Sequence, residues 1–303
     1  MEKLLQAFID RVDREHLAIE GIAVMEDGCV TAEHRWTPDL PRNIYSHTKS
    51  FMATAIGIAI SEAKLSLDDR LAECFPESVP TDAPELLFEV RLRHLLTMSS
   101  GFGRAFLMGA DRRAGVGAPD YVGYMLSQPL LCRPGETFCY STADSILAGR
   151  MFEQKMGIGL AEFLWERIFN PLGIGFPLWE FCPRGHAIGG GGMSLTLRDM
   201  MKLGQLYLDG GRWNGEQLVD PCWIRAATSK QIDTPPDHNV WHCGYGYQFW
   251  MSPYPDAYRA DGAYGQITTV LPQCGKVVSV QCPETGEFSK VQAALHEELL
   301  SQL

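Results

Sequence analysis

Strand-forming segments lie at both ends of this chain, and a long region of mostly helical patterns separates them. Near the start, residues 19–25 and 29–36 favour β-structure, and the Asp27-Gly28 step between them is typical of a hairpin turn. Beyond Pro235, further strand patterns follow at residues 245–251, 257–262, 266–271 and 276–281. The economical arrangement is one antiparallel sheet built from both chain ends.

Helical patterns complete this prediction. Apolar residues at positions 4, 5, 8, 9 and 12 predict an opening helix that ends near His16, and Val291, Leu295 and Leu299 share one face of a closing helix. The middle carries helical patterns at 91–98, 143–156, 160–169, 196–208 and 216–227. We therefore predict an α+β fold, with an antiparallel sheet, flanking terminal helices and an inserted, mostly helical subdomain. Residues 1–303 would form a single unit, with 1–45 and 230–303 as its α/β subdomain and 46–229 as its helical subdomain.

Residues 46–63 are apolar almost all round, which predicts a helix buried on every side. The longest apolar stretch, Phe51–Ile60, is far shorter than the roughly 20 residues that a membrane-spanning helix needs. We therefore expect no contact with the membrane.

The charge balance excludes one class of partner. The chain has 26 Lys and Arg against 37 Asp and Glu, a net charge of −11, without any block of like charge. Nucleic-acid binding is not expected, because neutralising phosphates requires a basic surface. Residues 1–16 contain acids throughout and no apolar core of a secretory signal, so we expect a cytoplasmic protein.

Metals and cofactors are not expected either. The nine cysteines include no C-x-x-C pair and are interpreted as reduced thiols. A zinc site would depend on His238, His242 and Cys243, which follow two prolines in a loop-like segment. Phosphate-binding and dinucleotide-binding glycine motifs are absent, as is the G-x-S-x-G nucleophile motif. The glycines at 189–192 are interpreted as close backbone packing or as a wall of a site.

The remaining chemical motif is S-x-x-K, which places a serine and a lysine on one face of a helix. It occurs twice, at residues 46–49 and 61–64. Ser46 begins the buried helix, where free backbone N–H groups favour a developing negative charge. Ser61 ends the same helix among solvated charged residues, so Ser46 is the better candidate, although a serine there could also be a simple helix cap.

Six segments, taken in order, favour one protein family. They are S-H-T-K-S-F at 46–51, L-S-L-D-D-R-L at 65–71, R-L-R-H-L-L-T-M-S-S-G-F at 91–102, P-G-E-T-F-C-Y-S-T at 134–142, G-G-G-M-S-L-T-L-R-D-M-M-K-L-G-Q-L-Y-L-D-G-G at 190–211 and A-D-G-A-Y-G-Q-I at 260–267. Over roughly residues 18–285 the chain closely resembles the serine β-lactamase-related family. That family includes class C β-lactamases, D,D-peptidases, esterases and 6-aminohexanoate-dimer hydrolase-like enzymes.

The resemblance implies a β-lactamase/transpeptidase-like fold and roles for particular residues. Ser46 would be the nucleophile, Lys49 its partner, and Tyr140 the tyrosine of the family's Y-x-N element. The backbone N–H groups of Ser46 and Ala263 would form the oxyanion hole. A lysine base needs a special environment, because at a pKa of about 10.4 only roughly one molecule in 2,500 is neutral at pH 7. Burial or a neighbouring cation must lower that pKa by about three units.

The sequence departs from the family pattern in two places. Thr142 stands where the asparagine of Y-x-N would be, and residues 260–262 (A-D-G) stand where β-lactamases have K-T-G. Thr142 donates a hydrogen bond more weakly than asparagine, and Asp261 would repel an anionic substrate. Gly262 would let the backbone approach a substrate closely.

Further candidates for substrate binding are Tyr45 and His186, the latter at the rim of the site. A loop at 109–119, with Arg112 and Arg113, could line the site or cover it. Each of these aromatic and histidine side chains could equally be structural.

We therefore expect a serine hydrolase that forms an acyl-enzyme on Ser46 and acts on small, uncharged or cationic esters or amides, without a metal or cofactor. One alternative is a β-lactamase or D,D-peptidase, with a lactam or peptide substrate, which residues 260–262 and the missing signal sequence disfavour. The other is a catalytically silent relative that binds a ligand or regulates. A covalent serine probe separates the silent protein from both enzymes.

Overall fold

The structure is a computed structural model that describes residues 2–235 and 241–303. Its helices are α1 (Glu2–Glu15), α2 (Thr48–Ser61), α3 (Leu71–Cys74), α4 (Leu92–Leu96), α5 (Gly109–Arg113), α6 (Tyr121–Leu126), α7 (Thr142–Met156), α8 (Leu160–Leu164), α9 (Leu197–Leu208), α10 (Pro221–Ala227) and α11 (Phe288–Glu298). Its strands are β1 (Gly21–Glu26), β2 (Cys29–Arg35), β3 (Arg42–Asn43), β4 (Ser194–Leu195), β5 (Arg212–Trp213), β6 (Glu216–Gln217), β7 (Trp250–Met251), β8 (Tyr258–Gly262), β9 (Gln266–Leu271) and β10 (Lys276–Gln281). None of the helices in the described ranges is long and apolar enough to cross a bilayer.

The main sheet is antiparallel and joins both ends of the chain, as predicted. Its six strands run in the order β2-β1-β10-β9-β8-β7. Strand β1 pairs with β10 in a register that sets Gly21 opposite Gln281 and Glu26 opposite Lys276. The first and last strands of the chain thus lie side by side, which confirms the α+β prediction.

Alternation along the strands sends side chains to two hydrophobic layers. Ile22 and Val24 of β1 pack with the terminal helices α1 and α11, whereas Ala23 and Met25 point into the larger core on the opposite face. Helix α9 lies against strands β9, β10 and β1. At Gly204 of α9 a Cβ atom would lie 2.7 Å from Val277, so the absence of a side chain there lets the helix approach the sheet.

Helix α2 runs through the larger core and is buried from Thr48 to Ala59. It contacts α7, α8 and α10, which explains why its sequence is apolar on every side. Gly57 lies against the indole of Trp223, where a Cβ atom would be only 2.3 Å from the ring. The helix therefore provides a rigid, desolvated support for the residues at its first turn.

Two predicted elements are wrong. The helical pattern at 216–227 begins too early, because residues 212–217 form a β5–β6 hairpin and α10 starts only at Pro221, after the capping residue Asp220. The strand predicted at 245–251 is reduced to β7, because Gln248 has a left-handed backbone (φ 64°) and interrupts the extended run.

Candidate active site

Ser46 lies in a 3₁₀ turn, Tyr45–His47, that leads directly into α2. Tyr45 has a left-handed backbone (φ 48°), and its N–H donates to Asn43 Oδ1 at 2.9 Å. This turn leaves Ser46 partly accessible while the residues after it are buried. Ser61, by contrast, donates its hydroxyl to the carbonyl of Ile58 at 2.8 Å, a bond within its own helix.

Lys49 lies one helical turn after Ser46 and is almost fully buried, with 1% of its surface exposed. Its Nζ lies 2.9 Å from Ser46 Oγ and donates to the carbonyl of Gly190 at 2.6 Å. Burial, helped by the positive charge of Arg112, lowers the pKa of Lys49 to about 7. A large fraction of the lysine is therefore neutral at physiological pH, as a base requires.

Tyr140 brings a second hydroxyl to the same point. It shares a hydrogen bond with Ser46, and its ring lies 5.1 Å from Lys49 Nζ. The ring stacks on Trp250 at 5.6 Å between centroids. Burial raises the pKa of Tyr140 well above its ordinary value, which keeps the phenol protonated and able to donate.

The glycine run forms the wall of the site that holds Lys49. A Cβ atom on Gly189 would lie 2.8 Å from the carbonyl of Ser145, and one on Gly190 would lie 2.7 Å from the methyl group of Thr142. The backbone can therefore approach α7 closely and direct the Gly190 carbonyl at Lys49. Both earlier interpretations of this run, close packing and a site wall, apply.

The end of β8 meets the same turn from the other side. A Cβ atom on Gly262 would lie 2.1 Å from the carbonyl oxygen of Ile44, so only glycine fits there. Ala263 follows at once and is exposed. The chain thus brings the backbone of Ala263 near the Ser46 turn, the placement that an oxyanion hole would need. Thr142 starts α7, but its hydroxyl donates to Met108 Sδ at 3.2 Å.

The expectation that Asp261 repels anions must be corrected, because its charge is paired inside the protein. Its Oδ2 accepts from Arg259 Nε at 2.8 Å, and both side chains are buried. The guanidinium also donates to the carbonyls of Trp241 and Met251. A buried arginine stays charged, so the pair presents little net charge to a substrate.

Tyr45 directly precedes Ser46 and is half-buried. Its hydroxyl donates to Glu284, and its ring contacts Tyr264 edge-on at 5.0 Å. The charge of Arg113, an exposed residue of α5, acts on the same hydroxyl. The segment 109–119 was predicted as a loop, but its first five residues form α5, from which Arg113 acts on the hydroxyl of Tyr45, next to Ser46 in the chain.

His186 does not lie at the rim of the Ser46 site, contrary to expectation. Its Nδ1 contacts Glu153 at 2.9 Å and Arg150 at 2.6 Å, both on α7. The imidazole lines a separate cavity, together with Arg150 of α7, that does not include Ser46, Lys49 or Tyr140. Its position three residues before the glycine run gave no information about this side-chain direction.

Sequence reasoning missed several residues that support the site. Arg259 was overlooked, although an arginine two residues before Asp261, on the same face of a strand, was a signal. The Gly190 carbonyl, which accepts from Lys49, leaves no sequence signal because any residue carries a carbonyl. His47 was also missed; it is buried beside Ser46, and its Nε2 lies 2.9 Å from Thr268 Oγ1. Burial lowers the pKa of His47 to about 3, so this neighbour adds no positive charge.

Within the two described ranges, no group of three or more His, Cys, Asp or Glu side chains could hold a metal ion. His238, part of the zinc alternative, lies outside those ranges.

Two curated proteins are similar to part of this chain. D-aminopeptidase from Brucella anthropi is 27% identical over 191 residues, which cover 56% of this chain and 34% of that protein. Esterase EstB from Burkholderia gladioli is 32% identical over 143 residues, covering 43% of this chain and 36% of that protein. The chain matches about a third of the length of each of these relatives.

Solved structures and a family model give wider coverage. The octameric penicillin-binding protein homologue from Pyrococcus abyssi has the same fold, with a TM-score of 0.77 at 21% identity, over 99% of this chain and 77% of that one. The family model described as Beta-lactamase matches residues 6–300. With nearly the whole sequence matched and Ser46, Lys49 and Tyr140 gathered at one point, the chain belongs to the β-lactamase family.

Proposed function

We propose that this chain is a serine hydrolase that forms an acyl-enzyme on Ser46 and hydrolyses small esters or amides. One observation carries the proposal: Lys49 Nζ lies 2.9 Å from Ser46 Oγ and has a pKa of about 7. A neutral amine at hydrogen-bond distance from a serine hydroxyl can take its proton as the hydroxyl attacks. The similarity to an esterase and to a D-aminopeptidase supports the same class of reaction.

In the acylation step, Ser46 Oγ forms a bond to the substrate carbonyl carbon while its proton passes to Lys49 Nζ. The carbonyl electrons move to the oxygen, which the backbone N–H groups of Ser46 and Ala263 stabilise. When the tetrahedral intermediate collapses, the ester or amide bond breaks, and the leaving group takes the hydroxyl proton of Tyr140. The Lys49 ammonium then returns a proton to Tyr140.

Deacylation repeats these steps with water. A water molecule attacks the acyl carbon and gives one proton to Lys49, and the bond to Ser46 Oγ breaks as Tyr140 returns a proton to the serine. The acid product leaves, and the Lys49 ammonium gives its proton to Tyr140, so that the three side chains regain their starting protonation. A protonated Tyr140 suits this role, because a phenol donates where a phenolate could not.

The charges around the site favour an uncharged acyl group. Asp261 is compensated by Arg259, and Glu180 is compensated by Arg112. Ala260 stands where a β-lactamase has the lysine of K-T-G, so a substrate carboxylate would lack that partner. We therefore place neutral esters and amides ahead of penicillins as substrates.

A fluorophosphonate probe tests the proposal directly. It should label Ser46 and not Ser61, as read by mass spectrometry of peptides. Ser46→Ala should abolish both the label and the hydrolysis of p-nitrophenyl acetate, while Ser61→Ala, the matched control in the second S-x-x-K, should keep both. Turnover that persists in Ser46→Ala would contradict the mechanism. Wild-type protein that is neither labelled nor active on the substrate would indicate a catalytically silent relative.

A further inference from the structure

An ion pair outside the reacting groups adjoins the glycine wall that holds Lys49. Arg112, on α5, donates from Nε and Nη2 to the two carboxylate oxygens of Glu180 at 2.8 and 2.7 Å. Its Nη1 donates to the carbonyl of Leu107 at 2.7 Å. Only 8% of the Arg112 side chain is exposed, against 41% of the Glu180 side chain. The guanidinium is therefore held in one place and is the more desolvated member of the pair.

Glu180 contacts the glycine wall that holds Lys49, and Met108, just before α5, reaches the same wall through Thr142. The N–H of Glu180 donates to the carbonyl of Gly192 at 3.0 Å, and a Cβ atom on Gly192 would lie 2.4 Å from the Glu180 side chain. Two residues away, the carbonyl of Gly190 accepts from Lys49. On the other side, Met108, the residue before α5, accepts a hydrogen bond from the hydroxyl of Thr142, whose methyl group lies against Gly190. The pair is thus joined to the lysine through two short contact paths.

The other groups that face Lys49 carry little net charge. In the turn just before its helix lie the Ser46 hydroxyl and His47, which burial keeps neutral. Tyr140, from the segment before α7, is a protonated phenol.

From β8, Asp261 is paired with Arg259. Among the described residues, the charge that bears directly on the Lys49 ammonium is that of Arg112. Like charges disfavour each other's ionised form, and a partly exposed counter-charge offsets only part of this effect.

We propose that the Arg112–Glu180 pair controls the protonation of Lys49. The positive charge of Arg112 favours the neutral amine. Glu180 holds the guanidinium in place, and its negative charge partly offsets the effect of Arg112 on Lys49. Arg112 is a positioning residue in this scheme and touches no reacting atom. The inference rests on the proposed function, because the protonation of Lys49 controls turnover only if Lys49 is the base.

Three variants test the pair by the pH profile of kcat/KM for p-nitrophenyl acetate. Arg112→Met removes the positive charge and should raise the pKa of Lys49. The acid limb, the part of the profile where activity falls as Lys49 becomes protonated, should therefore move up by about 0.5 to 1 pH unit. Arg112→Lys keeps the charge and should restore the limb to within about 0.3 unit. Glu180→Gln keeps a hydrogen-bond acceptor without the negative charge, so the limb should stay or move down by up to about 0.5 unit.

The directions in which Arg112→Met and Glu180→Gln move the acid limb distinguish an electrostatic effect from a purely structural one. If Glu180→Gln moved the limb upward as Arg112→Met does, the pair would act only by holding α5 in place, and the proposal would be overturned. Arg167→Met is the matched control, because Arg167 pairs with Glu62 just beyond the far end of α2. Glu62 lies about 20 Å from Lys49 along α2, so Arg167→Met should leave the limb unchanged.

A direct titration distinguishes failure of this inference from failure of the proposed function. NMR of ¹³Cε-labelled lysine, with Lys49 assigned through Lys49→Met, should show its pKa rise in Arg112→Met by the same 0.5 to 1 unit, about the shift in activity. An unchanged Lys49 pKa would overturn the inference and leave the proposed function intact. A raised pKa with an unmoved acid limb would support the electrostatic pair and reject Lys49 as the base.

Discussion

Lys49 shows how one buried side chain links stability to chemistry. Its charged form is disfavoured by burial and by Arg112, so its pKa falls from 10.5 to about 7. The unfolded chain keeps the ordinary value and therefore binds a proton more tightly than the folded chain. The destabilisation is fully present below pH 7 and fades as the pH rises to about 10.5. The molecule thus tolerates a destabilising residue where a base is needed.

Lys49→Met should separate these two effects. At pH 7 we expect kcat/KM for p-nitrophenyl acetate to fall by at least ~10³, because the base is lost. The free energy of unfolding should rise by about 1–3 kcal/mol, since a penalty of about 1.4 kcal/mol per pKa unit is removed while the Gly190 carbonyl loses its donor. Denaturant titrations at pH 7 and pH 10 measure the gain, which should shrink at the higher pH. A variant less stable than wild type at pH 7 would contradict this account.

At the scale of elements, local patterns predicted most of the sheet. β-favouring residues and the Asp27-Gly28 turn predicted the β1–β2 hairpin, and the later strands β8, β9 and β10 lie within a residue of their predicted ranges. The errors at 216–227 and 245–251 arose where backbone geometry overrides residue type, at the β5–β6 hairpin and at Gln248. A left-handed residue inside an apolar run has no periodic signature.

The junction between β8 and the Ser46 turn should depend on Gly262. In Gly262→Ala the new Cβ would lie 2.1 Å from the Ile44 carbonyl, so the strand must move away from the nucleophile. We expect kcat for p-nitrophenyl acetate to drop at least ~10-fold, with a loss of about 1–3 kcal/mol in the free energy of unfolding. Gly175→Ala is the control, because no atom lies within 4 Å of its added Cβ. Wild-type kcat in Gly262→Ala would show that this junction does not position the site.

At the scale of the whole molecule, burial of Asp144 makes stability depend on pH. Asp144 is 1% exposed; its Oδ1 accepts from Ser100 at 2.8 Å, and its Oδ2 is buried without a hydrogen-bond partner among the described residues. Burial raises its pKa from 3.8 to about 8. The folded chain therefore binds this proton more tightly than the unfolded chain. The penalty grows as the pH rises from about 4 to about 8.

Asp144→Asn removes this titration. Relative to wild type, the variant should gain up to about 5 kcal/mol in the free energy of unfolding between pH 4 and pH 8, at about 1.4 kcal/mol per pKa unit. Denaturant unfolding at pH 4, 6 and 8 measures the difference in the free energy of unfolding between variant and wild type. The titration of the buried histidines is common to both proteins and cancels in this difference. Asp82→Asn, at an exposed position, should show no such trend. A constant difference across this range would mean that Asp144 is ionised in the folded protein.

The sequence by itself determined the strand-forming segments at both chain ends and the buried helix α2, and it led to the prediction of Ser46 and Lys49 over Ser61 and Lys64. These features are local, since periodicity and an i, i+3 spacing are properties of a short stretch of chain. The role of Tyr140 came from family resemblance, and its hydrogen bond to Ser46 became visible only in the structure.

Only the tertiary structure decided what surrounds these residues. The Gly190 carbonyl on Lys49, the Arg112–Glu180 pair and the Arg259 partner of Asp261 depend on the approach and direction of particular groups. His186 is the counterexample, close in sequence to the site wall but turned to Glu153. Side-chain direction and long-range approach depend on how the whole chain packs, and so does the burial that lowers the pKa of Lys49.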